Sequence, residues 1–223
     1  MIISDTEKFV FIHNPKVGGM TFRTALLQYD TRDNYFFEWK TITDTDKKLD
    51  MAHITPHQLR KFYPHVFREV RDYFKFGFVR NPYTRFLSGV SQHLKLSTPH
   101  IRAAMLNDQD LFYRFSSNFA LTALKEEVIE RDHRMVHFRR QSNFLFLDGA
   151  QWSTAWFRLE TPQAIEGTPV GTWLGDAMQT PLNRTQELAA TGYQIDRLSK
   201  DARLFLREFY KIDFENFGYD TFD

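Results

Sequence analysis

One stretch, Phe9–Phe22 (FVFIHNPKVGGMTF), limits what this chain can fold into more than any other. Phe9, Val10, Phe11 and Ile12 form an apolar run without alternation, the pattern of a strand covered on both faces. A short turn follows with Pro15, Lys16, Gly18 and Gly19. Met20–Tyr29 then reads as a helix, with Phe22, Ala25, Leu26 and Tyr29 on the face turned to the sheet. Strand, glycine-containing turn with a lysine, and helix together bring backbone N–H groups, a helix N-terminus and an ammonium to one place. That combination suits a phosphate-like anion.

Two more segments repeat the theme. Tyr73–Arg80 (YFKFGFVR) is the most strongly apolar strand; Asn81-Pro82 ends it, and Pro82 opens a helix to about Lys95 with Phe86, Leu87 and Val90 on one face. Asp50–Ile54 (DMAHI) reads as a short strand, followed by Thr55 as N-cap, Pro56 at the first helical position and a helix to about Tyr63. His53 and Arg80 therefore stand where a strand gives way to a helix, the edge at which α/β sheets take ligands. Thr31–Asp50 reads as a loop with one short strand. Thr98–Arg131 is helical, with Leu111, Phe115, Phe119 and Leu121 as its apolar stripe. Gln141–Phe146 is ambiguous between strand and turn, and Ala155–Glu160 reads as a strand. Thr161–Asn183 is irregular with one short helix, and Tyr193–Tyr210 is a closing amphipathic helix. The alternation predicts one α/β domain over residues 1–223, P-loop-like, with a central, mostly parallel sheet flanked by helices.

Composition narrows the partners. An aromatic content of 16%, with 23 Phe, supplies a sizeable core. A net charge of +1 argues against bulk nucleic-acid binding, so any anion site comes from local clustering. The absence of cysteine excludes disulfides and thiolate metal sites. No run approaches the ~18 apolar residues of a membrane span, and MIISDTEKF lacks a basic-then-apolar signal pattern. The expectation is a cytoplasmic protein with no membrane span.

The turn is not a Walker A loop. That motif needs Lys followed directly by Ser or Thr to hold magnesium, whereas here Lys16 precedes the glycines and Val17 follows it. No Asp-ended apolar strand offers a magnesium carboxylate, which disfavours a nucleotide kinase. His53 is the candidate general base, because imidazole titrates near neutral pH. His57, one helical turn on, is the alternative base, and His13 at the mouth of the turn reads as structural. His57, His137 and Gln141 are candidate linings of a substrate pocket. No histidine pair has metal-ligand spacing with an acidic partner.

FIHNPKVGGMTF and FGFVRNPYTRFLSGV resemble the two signature segments of sulfotransferases that use 3′-phosphoadenosine 5′-phosphosulfate (PAPS), and the pattern is most similar to the carbohydrate group, with its HIPKTGGTS and VRDPYERLLS. AHITPHQL, HFRRQSNFLF, FRLE, LNRT and YKIDFENFGYD resemble further segments of that family, in order, so the likeness recurs from Phe9 to Tyr219. The resemblance implies that Lys16, Val17, Gly18, Gly19, Met20, Thr21 and Phe22 surround the 5′-phosphosulfate, with Lys16 also catalytic. It implies that Arg80 and Ser88 bind the 3′-phosphate, that Arg184 lies near the same group or the acceptor, and that His53 deprotonates an acceptor hydroxyl on a glycan or small molecule. The product would be adenosine 3′,5′-bisphosphate, with no metal required. The chain departs from the pattern at Val17 and Met20, where the family carries threonine, and at Arg140, where it carries proline before Gln141. Two alternatives stand beside this reading: a P-loop-like nucleotide kinase, and a non-catalytic nucleotide- or glycan-binding module on the same fold.

Overall fold

The computed structural model describes residues 1–41, 48–178 and 192–221. In chain order its strands and helices are β1 (Ile2–Ser4), β2 (Phe9–Ile12), α1 (Gly19–Leu26), β3 (Trp39–Thr41), β4 (Lys48–Asp50), α2 (Pro56–Phe62), α3 (Pro64–Glu69) and β5 (Phe74–Val79). There follow α4 (Pro82–His93), α5 (Pro99–Asn107), α6 (Gln109–Ala123) and α7 (Glu126–Arg131). The chain continues with α8 (Ser142–Leu145), β6 (Phe146–Leu147), β7 (Ala150–Gln151), β8 (Ala155–Arg158), α9 (Pro169–Leu174), α10 (Lys200–Phe209) and α11 (Lys211–Phe217). Two compact units divide it: Met1–Val79 with Gln141–Leu182, and Arg80–Arg140 with Asn183–Asp223.

The first unit is built on a four-stranded sheet in the order β1-β2-β5-β8. β2, β5 and β8 run parallel, in the registers Phe9↔Phe74 and Phe76↔Ala155, and β1 joins antiparallel at the edge. The sheet is therefore mostly parallel and flanked by helices, as the alternation of elements predicts. Its core is aromatic. Phe76 is fully buried, with Phe9, Phe11 and Trp173 at ring-centroid distances of 5.7, 5.6 and 5.7 Å. Phe22 and Leu26 of α1 and Val170 and Leu174 of α9 close the same core. On the opposite face Gly77 makes room for Leu145 of α8, since a Cβ there would stand 2.9 Å from its Cδ2. In the second unit, α4, α6 and α10 pack Phe86, Leu87, Phe112, Phe119, Ala202 and Leu206 into one core with Phe138.

Four expectations change. Asp50–Ile54 is not a strand: Lys48–Asp50 pairs with Trp39–Thr41 as a hairpin, and Met51–His53 is a 3₁₀ turn. Asp50 Oδ1 accepts the Ala52 N–H at 3.0 Å, which curls the chain where an extended residue was expected. The closing helix starts at Lys200, because Ser199 caps it through the Ala202 N–H, and KIDFENF forms a second helix beyond Tyr210. Gln141–Phe146 contains one helical turn, α8. Leu121 is exposed, off the stripe made by Leu111, Phe115 and Phe119. The edge strand β1 is an addition that the sequence reading did not anticipate. The Thr55 cap is present as a full capping box, with Gln58 closing back on Thr55.

Phe76→Ala should cost roughly 3–5 kcal/mol, because the aromatic box has few ways to collapse into the space. Urea denaturation should show a lower midpoint at an unchanged slope.

Candidate active site

The turn after β2 is held from below by Asn14. This residue is fully buried, and its Nδ2 donates to the Phe78 carbonyl at 2.9 Å and to Gln141 Oε1 at 3.0 Å. Lys16 follows with φ 67°, a left-handed backbone that a side chain with a Cβ adopts at a cost, and Gly18 with φ 80°. Val17 and Gly19 between and after them keep negative φ. Alternating hands of this kind turn successive N–H groups towards one side, the geometry of an anion nest. α1 then starts at Gly19 with Gly18 as its cap, no side-chain cap bond and no acidic residue in its first turn. No carboxylate of that turn offsets the positive end of the helix.

The side chains of the turn divide sharply. Val17 is 0% exposed and lies in the sheet core, and the Phe22 ring stacks on Phe78 at 4.0 Å. Neither side chain faces outwards, so both would serve a ligand at the turn only through their backbones. Thr21 is buried, Lys16 is half-buried, and Gly18 and Met20 are exposed. The threonine hydroxyl that the family pattern carries at position 17 would point into the core here.

His13 lies directly over the start of α1. A Cβ on Gly19 would come within 2.0 Å of His13 Nε2. The His13 ring also meets the His53 ring, with centroids 4.6 Å apart. His53 therefore stands one imidazole away from the first residue of α1. The sequence reading missed a third member, Asp50, whose Oδ2 lies 2.6 Å from His53 Nδ1. Both side chains are mostly enclosed, 13% exposed for His53 and 11% for Asp50. Burial alone would raise the Asp50 carboxyl, but the hydrogen bond and charge of His53, with the backbone N–H groups of Ala52 and His53, outweigh it and hold it below the usual carboxylate range. The signal for Asp50 was its place three residues before the histidine, hidden by the reading of DMAHI as a strand.

The other candidates are placed as follows. His57 is exposed on α2, and Gln141 is fully buried with its oxygen bound to Asn14, beneath the turn rather than at its surface. In the second unit, Arg80 Nε donates to Thr84 Oγ1 at 3.1 Å, and its guanidinium lies over the Tyr193 ring at 5.5 Å. Ser88 stands one turn beyond Thr84 on the same flank of α4 and is largely buried. Thr84 Oγ1 donates to the Asn81 carbonyl at 3.2 Å, so the phosphate-type donors on this flank are the Arg80 guanidinium and the Ser88 hydroxyl. Arg85 on the same helix is fully buried and donates to the Arg139 carbonyl at 2.7 Å, a structural cation. His137 is half-buried in the 3₁₀ segment His133–Phe138. Arg184 lies outside the described residues.

Residues 1–160 match the profile of the family described as Sulfotransferase family. The chain belongs to the sulfotransferase family. Searches of curated proteins and of solved structures each return no match. The matched span contains the turn after β2, the Asp50–His53 segment, β5 with α4, and the strand that ends FRLE. It stops before LNRT and YKIDFENFGYD. Sulfotransferase membership makes this a transferase, one that moves a sulfuryl group. Among the described residues no group of three His, Asp or Glu side chains converges as a metal ion would need, and no helix is long and apolar enough to cross a membrane.

The contact of His13 with Gly19 can be tested by coupling. Gly19→Ala should destabilise the protein by more than ~1 kcal/mol, and His13→Ala in the same chain should restore part of that loss. Denaturant midpoints of the two single variants and the double variant measure it; strict additivity would mean that the ring does not press on Gly19.

Proposed function

We propose that the protein transfers the sulfuryl group of PAPS to an acceptor hydroxyl, on a sugar or glycan. The observation that carries this reading is that an imidazole, His53, stands one ring away from an anion nest headed by Lys16. The acceptor class follows the likeness of HNPKVGGMTF and VRNPYTRFLSGV to the carbohydrate group.

The residues of the turn fit a phosphosulfate. Gly18 is exposed, the φ values of the turn alternate in hand as in an anion nest, and no acidic residue stands in the first turn of α1 to repel an anion. When bound, PAPS supplies an activated sulfuryl group on its 5′-phosphate. The backbone of Lys16–Phe22 holds that phosphate, while Arg80 and Ser88 are our candidates for the 3′-phosphate. His53 would take the proton of the acceptor hydroxyl as its oxygen bonds to the sulfuryl group. Lys16 would offset the negative charge that develops on the leaving 5′-phosphate, which is stabilisation specific to the transition state. The transferred group carries less charge than a phosphoryl group, and a lysine with backbone donors suffices to offset it.

Calorimetric titration with adenosine 3′,5′-bisphosphate should show binding without magnesium. Lys16→Ala should weaken it roughly 10-fold or more, as expected for a lost charge-assisted contact. His53→Ala should leave that binding intact and lower kcat by about 10²–10⁴. Absence of bisphosphate binding, with tight binding of magnesium-ATP instead, would overturn the reading in favour of a kinase. Bisphosphate binding with no sulfation of any acceptor, and no effect of His53→Ala, would favour a binding module.

A further inference from the structure

We propose that Asp50 is a positioning residue, holding the His53 imidazole with its proton on Nδ1 so that Nε2 is the nitrogen that accepts the acceptor's proton. The inference rests on the reading of His53 as the base. Its basis is the division of labour within one carboxylate. Asp50 Oδ1 accepts the Ala52 N–H at 3.0 Å, and Oδ2 lies 2.6 Å from His53 Nδ1. An ionised carboxylate has only lone pairs to offer, so the ring nitrogen facing it must carry the hydrogen. The neutral imidazole then has its single acceptor at Nε2.

The ring is fixed in two directions. Oδ2 holds it at its Nδ1 edge, and the His13 ring packs against it at 4.6 Å, with the Nε2–Cδ2 edge of His13 set against Gly19. Asp50 itself is anchored as the last residue of β4, paired with Trp39 across the hairpin, with the 3₁₀ turn beginning after it. In the transfer step the acceptor oxygen forms its bond to sulfur, the bond from sulfur to the 5′-phosphate oxygen breaks, and the hydroxyl proton ends on His53 Nε2. The imidazolium so formed keeps its Nδ1 proton, and the Asp50 charge lies beside it. The carboxylate is not itself protonated.

Asp50→Asn separates this role from a merely structural one. Asparagine keeps an oxygen for the Ala52 N–H, so the turn survives, but it presents an amide N–H to Nδ1 and forces the proton onto Nε2. In wild-type protein ¹⁵N NMR of the neutral ring should show His53 protonated at Nδ1, and in Asp50→Asn at Nε2. Turnover should fall about 10³–10⁴-fold, with affinity for adenosine 3′,5′-bisphosphate unchanged. A wild-type ring protonated at Nε2 overturns the proposal whatever the activity, and needs no variant to fold. A tautomer that does not move in Asp50→Asn overturns it equally. A tautomer that moves while turnover stays constant supports the positioning and instead refutes His53 as the base.

Discussion

A single buried amide ties the first unit together. Asn14 Nδ2 reaches β5 through the Phe78 carbonyl, one residue beyond the last β2–β5 pair, and the start of α8 through Gln141. Three segments far apart in sequence thus meet under the turn that carries Lys16. A neutral hydrogen bond of this kind contributes only about 1 kcal/mol, but its loss would leave a buried carbonyl and a buried amide oxygen to be desolvated without partners, at about 1–3 kcal/mol each. The turn's shape depends on that floor, because its own residues make few choices that favour compactness. Lys16 sits in a left-handed conformation, and Gly19 leaves space that His13 fills.

This arrangement changes how Val17 and Met20 are understood. By sequence they are two missing hydroxyls. In the structure they have opposite fates: Val17 joins the aromatic core, and Met20 is exposed at the second position of α1. A threonine at position 17 would bury its hydroxyl in the aromatic core, so valine suits the sheet face and leaves the backbone donors of the turn in place. Only position 20 removes a side chain that could have faced a ligand.

The parallel strands and the helices that follow them were legible because each rule had a single winner. Continuous apolar runs gave β2 and β5, and Thr55-Pro56 and Asn81-Pro82 gave two helix starts. The reading failed where one side chain overruled the pattern. Asp50 turned an apolar pentapeptide into a capped turn, and Ser199 started a helix seven residues later than its apolar stripe suggested. Of the site, the turn and His53 were legible as motifs. The His13–His53–Asp50 cluster was not: the Asp50–His53 bond is local, three residues apart, but was hidden by reading DMAHI as a strand, and the His13–His53 ring contact joins residues forty apart in the chain, which local composition does not report.

Lys16 also sets two pressures against each other at one position. Its left-handed backbone costs roughly 1–2 kcal/mol that a glycine would not incur, so a drift to glycine would make the fold more stable. The same drift would remove the only ammonium in the turn. Selection for stability alone would therefore erode this loop, and a screen of variants for heat resistance would be expected to enrich its loss. A chain that keeps lysine here carries the strain as the mark of a charge held in place before any ligand arrives.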